Sequence, residues 1–135
     1  MKELTIKAAI ENLPAVTAFL DEILEAADCS MKAQMQLDVA MDELFGNIAR
    51  YAYAPGEGDA TVRINVDAET RVAEVTLIDS GIPFNPLEAS QPDTSASAED
   101  RPIGGQGIFL VRNTMDDVSY VRDGDRNVLT LRKKI

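Results

Sequence analysis

Three short groups of residues have the types and spacing that chemistry needs. Glu43 and Asn47 stand four apart with Arg50 three further on, so on a helix all three share one face. An acid and an amide one turn apart suit metal–phosphate chemistry. The amide oxygen can ligate Mg²⁺, and the carboxylate can orient and deprotonate a nucleophile. Asp79-Ser80-Gly81-Ile82-Pro83-Phe84 follows an alternating run, so its carboxylate falls at a strand end. There it can accept from an exocyclic amine such as that of adenine, while Gly81 lets a backbone approach a flat ring closely. Gly104-Gly105-Gln106-Gly107 precedes an apolar run, and glycines at a helix start let successive N–H groups point at an anion. Alone, each group has a plainer reading: a solvated helix face, an ordinary turn or a hinge. No strand feeds straight into the glycines and no Gly-Lys-Ser/Thr follows them, so the Rossmann and Walker A fingerprints fail. In their fixed order on helix, strand end and loop-to-helix junction, the three are far more specific than any one.

Composition narrows the chemistry further. The chain has 135 residues, no His, one Cys and no Trp, and 13 Lys+Arg against 23 Asp+Glu leave a net charge of −10. Without His there is no Ser-His-Asp or Cys-His catalysis and no His-bearing zinc site. A lone Cys closes no intrachain disulfide, which suits a reducing compartment. A general base must then be a carboxylate, Lys, Tyr or the thiol, and a bound metal must be a hard ion on oxygen ligands, Mg²⁺ foremost. An acidic chain with no basic block argues against a nucleic-acid partner. No apolar run approaches the roughly 20 residues of a membrane span. The N-terminus lacks a secretory signal pattern, so a cytoplasmic location is expected.

The elements that must position these groups follow from periodicity. Residues 3–10 alternate as a strand through Leu4, Ile6, Ala8 and Ile10. Asn12-Leu13-Pro14 starts a helix that runs to about Ala27. Ser30 caps a second helix, from about Met31 to Ala52, with an apolar stripe through Leu37, Met41, Leu44, Phe45 and Ile48. Met31, Met35 and Met41 are expected in the core. Residues 60–67 and 72–78 form a hairpin. Asn85 to Pro102 is rich in Ser, Pro, Asp and Ala without a period, the mark of a lid, a binding loop or disorder. A short helix through Met115 and a last hairpin, Val118–Arg122 with Asn127–Lys133, close the chain. The order β-α-α-β-β-loop-α-β-β predicts an α+β, two-layer sandwich in a single domain over residues 1–135. Its sheet is mostly antiparallel, with helices on one face.

Glu43…Asn47, Asp79-Ser-Gly81 and Gly105-Gln-Gly107 resemble the N, G1 and G2 boxes of the GHKL (Bergerat-fold) ATPase superfamily. Within it, Asn47 to Tyr51, Asp79 to Phe84, Gly105 to Val111 and Met115 to Val118 most resemble the bacterial anti-sigma factor/serine-protein kinases. The resemblance covers nearly the whole chain. It implies a Bergerat ATP-binding fold that takes ATP and Mg²⁺ under a lid of about residues 86–103. Asn47 would ligate Mg²⁺, and Glu43 would be the general base. Asp79 would accept from the adenine amine, with Gly81 near the ring. Gly105 and Gly107 would offer N–H groups to the phosphates, and Arg101 would reach a terminal phosphate from the lid. It further implies a homodimer that holds a sigma factor and phosphorylates a Ser or Thr of an anti-anti-sigma protein. The alternative is a non-catalytic, nucleotide-gated module that only sequesters a partner. A detached histidine-kinase catalytic domain would need its acceptor His from another chain.

Overall fold

The computed structural model describes residues 1–88 and 105–135. Its strands are β1 (Lys2–Lys7), β2 (Asp59–Asp67), β3 (Val72–Asp79), β4 (Asp117–Asp123) and β5 (Arg126–Lys134). Its helices are α1 (Leu13–Ala26), α2 (Met31–Asn47) and α3 (Gly105–Thr114). The strands make one sheet in the order β1-β2-β3-β5-β4, and every neighbouring pair is antiparallel. The α+β class and the antiparallel sheet expected from the sequence are therefore found.

Alternation decides which face of the sheet is buried. Val62, Ile64, Val75, Leu77 and Leu131 are all closed to solvent, as are Val16, Leu20 and Leu24 of α1 and Leu37, Met41 and Phe45 of α2. Each such aliphatic or aromatic side chain contributes about 1.5–3 kcal/mol on leaving water. The opposite face is wet and polar: Arg63 pairs with Glu3, and Arg132 bridges Glu74 and Asp117. Such exposed pairs contribute at most about 1 kcal/mol each. The tight β4–β5 turn is possible because Gly124 takes φ +62, a conformation that costs a residue with a Cβ.

Several boundaries differ from expectation for identifiable reasons. The first strand stops at Lys7, and Ile10 enters a 3-10 turn (Ile10–Asn12) and stays 44% exposed. Asn12 does not cap α1; its Nδ2 donates back to Lys7 O at 2.9 Å, which turns the chain from strand to helix. Ser30 does cap α2, its Oγ accepting from Ala33 N at 3.2 Å. That helix reaches Asn47 and then widens into a π-turn, Ile48–Ala52, a defect that often marks a functional region. Met41 is buried, but Met31 and Met35 are 89% and 62% exposed. Helical steps from Leu37 and Met41 reach Ala33, Ala40 and Leu44 instead, leaving 31 and 35 on the opposite face. The expected lid over 86–103 begins with a described 3-10 turn, Pro86–Glu88; the rest, including Arg101, lies outside the described residues. Among the described residues no helix is long and apolar enough to cross a membrane.

Candidate functional site

Register places a polar row at one end of the inner face of the sheet. Asp79 of β3 sits opposite Asn127 of β5, and Asn127 opposite Arg122 of β4. The adjacent inward row is Leu77, Leu129 and Tyr120. Asp79 and Asn127 thus occupy positions in phase with the core, and each is only 6% exposed. Buried polar groups there must find partners. Asp79 Oδ1 accepts from Gly81 N at 2.9 Å and from Asn127 Nδ2 at 3.0 Å. The same Asn127 amide donates to Ile82 O at 2.8 Å. Its Oδ1 accepts from Arg122 Nη1 at 3.2 Å, Phe84 N at 3.3 Å and the Tyr120 hydroxyl.

The segment after Asp79 is clamped from both sides. Arg122 Nη1 donates to Gly81 O at 2.9 Å, and the Tyr53 hydroxyl accepts from Ser80 N at 2.7 Å while donating to Asp59 O. Ile82 N donates to Ala52 O in the π-turn at 3.0 Å. A Cβ on Gly81 would overlap that same carbonyl, so glycine is what lets strand end and π-turn meet. The space expected beside a flat ring is, at the Gly81 Cα, taken by Ala52.

These elements enclose an open cleft of about 550 Å³, solvent at its mouth included. Leu77 and Leu129 contribute apolar surface, as do Tyr51, Ile82 and Phe84, and the polar groups are Asp79, Asn127 and Asn47. An apolar slot with a few placed acceptors suits a flat heterocycle carrying an exocyclic donor.

The second expected group adjoins the first. Asn47, at the last turn of α2, lines the cleft and donates from Nδ2 to Glu43 Oε1 at 3.3 Å. Glu43 is half-buried. Burial pushes its carboxyl above the ordinary range, opposed by the Asn47 hydrogen bond and the Arg50 charge. Gly107 of α3 lies directly against Glu43, since a Cβ there would overlap the carboxylate. Gly105 is the first residue of α3, where backbone N–H groups have no helical acceptor. The fold therefore brings Glu43 against both Asn47 and Gly107, and Asn47 and Asp79 line the same cleft, while Gly81 packs against Ala52 behind it.

Asn127, Tyr120, Arg122 and Tyr53 were not legible as site residues. A signal existed for Asn127: it shares phase with the buried Leu129 and Leu131 of β5, where a polar residue needs a reason.

Comparisons with known proteins place the chain in a family. The family described as a histidine kinase-like ATPase domain matches residues 6–133. The serine/threonine-protein kinase BtrW of Bordetella bronchiseptica is 30% identical over 129 residues, 94% of this chain and 90% of that protein. The serine-protein kinase RsbW of Listeria monocytogenes is 31% identical over 116 residues, 82% of this chain and 73% of its own length. Among solved structures, the histidine kinase domain of the Erythrobacter litoralis EL346 blue-light activated histidine kinase matches 93% of this chain with a TM-score of 0.57 and 11% identity. This chain spans 60% of that one. The Acinetobacter baumannii histidine kinase AdeS matches with a TM-score of 0.52, also at 11% identity, over 99% of this chain and 68% of its own. At that identity the two structures speak for the fold alone.

Proposed function

Because the chain belongs to the histidine kinase-like ATPase domain family, on its bacterial anti-sigma factor/serine-protein kinase branch, we propose that it binds ATP with Mg²⁺ in the cleft and phosphorylates a Ser or Thr of an anti-anti-sigma partner. It also holds a sigma factor, and it works as a homodimer in the cytoplasm. The observation that carries this function is the meeting of Glu43, Asn47 and Gly107 beside a cleft whose buried acceptor is Asp79.

Each residue has a role its environment supports. Asp79 offers the adenine amine an oxygen, since its Oδ1 is already engaged by N–H donors and its Oδ2 has no protein partner among the described residues. Asn47 fits Mg²⁺: its Nδ2 is spent on Glu43, leaving a carbonyl oxygen of the kind hard cations take. Bound there, Mg²⁺ would neutralise phosphate charge. Backbone N–H groups at Gly105 and Gly107, at the start of α3, would be offered to the phosphates. Glu43 accepts the proton of the incoming hydroxyl as its oxygen bonds to the γ-phosphorus and the bond to the bridging oxygen breaks, releasing ADP. Such transfers depend mainly on positioning and charge neutralisation, and a carboxyl raised by burial is better matched to proton exchange.

The test is capture of partners from native cytosol with and without ATP·Mg²⁺, followed by transfer from labelled ATP to what is captured. Label on a Ser or Thr of a captured protein is the expected result. Nucleotide-dependent capture with no label on any partner would overturn the kinase and leave a sequestering module.

A further inference from the structure

We propose that Asn127 sets the base selectivity of the cleft, fixing Asp79 so that it accepts from a 6-aminopurine and discriminates against a 6-oxopurine. This rests on the ATP site proposed above and deepens it.

The hydrogen bonds allow only one orientation of the Asn127 amide. On its oxygen side stand three donors: Arg122 Nη1, Phe84 N and the Tyr120 hydroxyl. On its nitrogen side stand two acceptors, Asp79 Oδ1 and Ile82 O. A flipped amide would set donors against donors and oxygen against oxygen, so the network itself assigns the orientation. Asn is also the residue this place requires. Leu supplies neither side, Asp supplies oxygens where Asp79 and Ile82 need donors, and Thr supplies one hydroxyl proton for two acceptors.

The consequence for Asp79 is positional. Gly81 N and Asn127 Nδ2 both bind Oδ1, which fixes the plane of the carboxylate and leaves Oδ2 as the atom for a ligand. Below it lie Leu77 and Leu129, which set the depth of a flat ring. In that register a C6 amino group donates to Oδ2, whereas a C6 carbonyl opposes oxygen to oxygen. A carboxylate released from Asn127 keeps only the Gly81 N bond on Oδ1, so it can turn about its last bond and meet the N1–H and 2-amino donors of guanine instead. Rigidity of the acceptor, more than its charge, separates the two bases. The Ile82 bond of the same amide ties the cleft wall to this acceptor, so wall and acceptor hold one mutual position.

The experiment is calorimetric titration of wild type, Asn127→Leu and Asn127→Thr with ATP and with GTP, each with Mg²⁺, alongside thermal melts. Wild type should prefer ATP by about 100-fold or more, the cost of opposing unpaired acceptors in a buried site. Asn127→Leu should lose about 10- to 100-fold in ATP affinity while GTP changes little, so that the ratio collapses. Asn127→Thr, with one donor left, should fall between. A purely structural role would weaken both nucleotides together and leave the ratio alone. An unchanged ratio in both variants, or a wild type that binds the two bases equally, overturns the inference while ATP binding stands. Should the Leu variant not fold, the ratio in the Thr variant decides. A folded wild type that binds neither nucleotide overturns the ATP site itself.

Discussion

Asp79 and Glu43 are the two carboxylates of the proposed site, and the fold treats them in opposite ways. Asp79 ends a central strand, is 6% exposed, and has two N–H donors on a single oxygen. Its donor Asn127 is in turn held by Tyr120, Arg122 and Phe84. Glu43 sits on a helix, is half-buried, and has one hydrogen bond, of 3.3 Å, among the described residues. The missing Cβ of Gly107 gives it room. A group that recognises is best fixed before the ligand arrives, because ordering it later costs affinity. A group that exchanges a proton is better left with spare capacity, and contacts around such groups often tighten only when substrate is bound.

The largest effect should come from Glu43→Gln. Removing the base while keeping the shape should cost about 10²–10⁴-fold in transfer, with ATP affinity almost unchanged, read by labelled-phosphate transfer and calorimetry. The wild-type rate should climb as pH rises through the burial-raised value of Glu43, since only the ionised form accepts a proton. Equal loss of binding and transfer would erase the division between the two carboxylates. Asp79→Asn should do the reverse. The amide must turn an N–H either toward the donors on Oδ1 or toward the base amine, so ATP affinity should fall about 10- to 100-fold. Transfer at saturating ATP should then fall much less. Unchanged affinity would remove Asp79 from the base site.

Why one carboxylate was readable in full and the other's surroundings were not has a physical cause. Glu43, Asn47 and the Asp79-to-Phe84 segment are local patterns, and periodicity alone puts them on a helix face and at a strand end. The two-layer architecture was legible for the same reason, since alternation and helical steps are local. Asn127 is 48 residues from Asp79 in sequence, and only strand register joins them. Register depends on pairing across the sheet, which no local pattern states. Met31 and Met35 were misplaced because their apolar character outweighed their angular position, which the buried Leu37 and Met41 already defined. The π-turn at Ile48–Ala52 was invisible because its residues keep ordinary helical patterning.

A smaller effect tests the clamp on the fixed side. Gly81→Ala places a Cβ into the Ala52 carbonyl, a backbone neighbour that cannot swing aside. Overpacking of this kind costs about 1–3 kcal/mol, so the melting temperature should drop by several degrees and ATP should bind more weakly. The matching change on the loose side, Gly107→Ala, meets a side-chain carboxylate that can move. It should cost transfer more than stability. Equal destabilisation by both substitutions would show that the two sides are equally rigid.

The smallest expected effect comes from a third carboxylate, the limiting case in which no N–H donor is supplied. Asp38 of α2 faces Asp21 of α1, and the Oδ1 atoms of both are buried without a hydrogen-bond partner. Burial first, then Asp21, with Asp42 and Glu25 adding negative charge, pushes the Asp38 carboxyl up to about 7. Folding therefore favours its protonated form. The contribution to stability is fully present below the ordinary value of 3.8 and is lost as pH rises through about 7. Asp38→Asn carries no charge at any pH and can donate to Asp21. Its gain in melting temperature over wild type should be small at pH 5 and reach a few degrees at pH 8. An equal gain at both pH values would mean that Asp38 is ionised throughout, and that want of donors is not what separates it from Asp79 and Glu43.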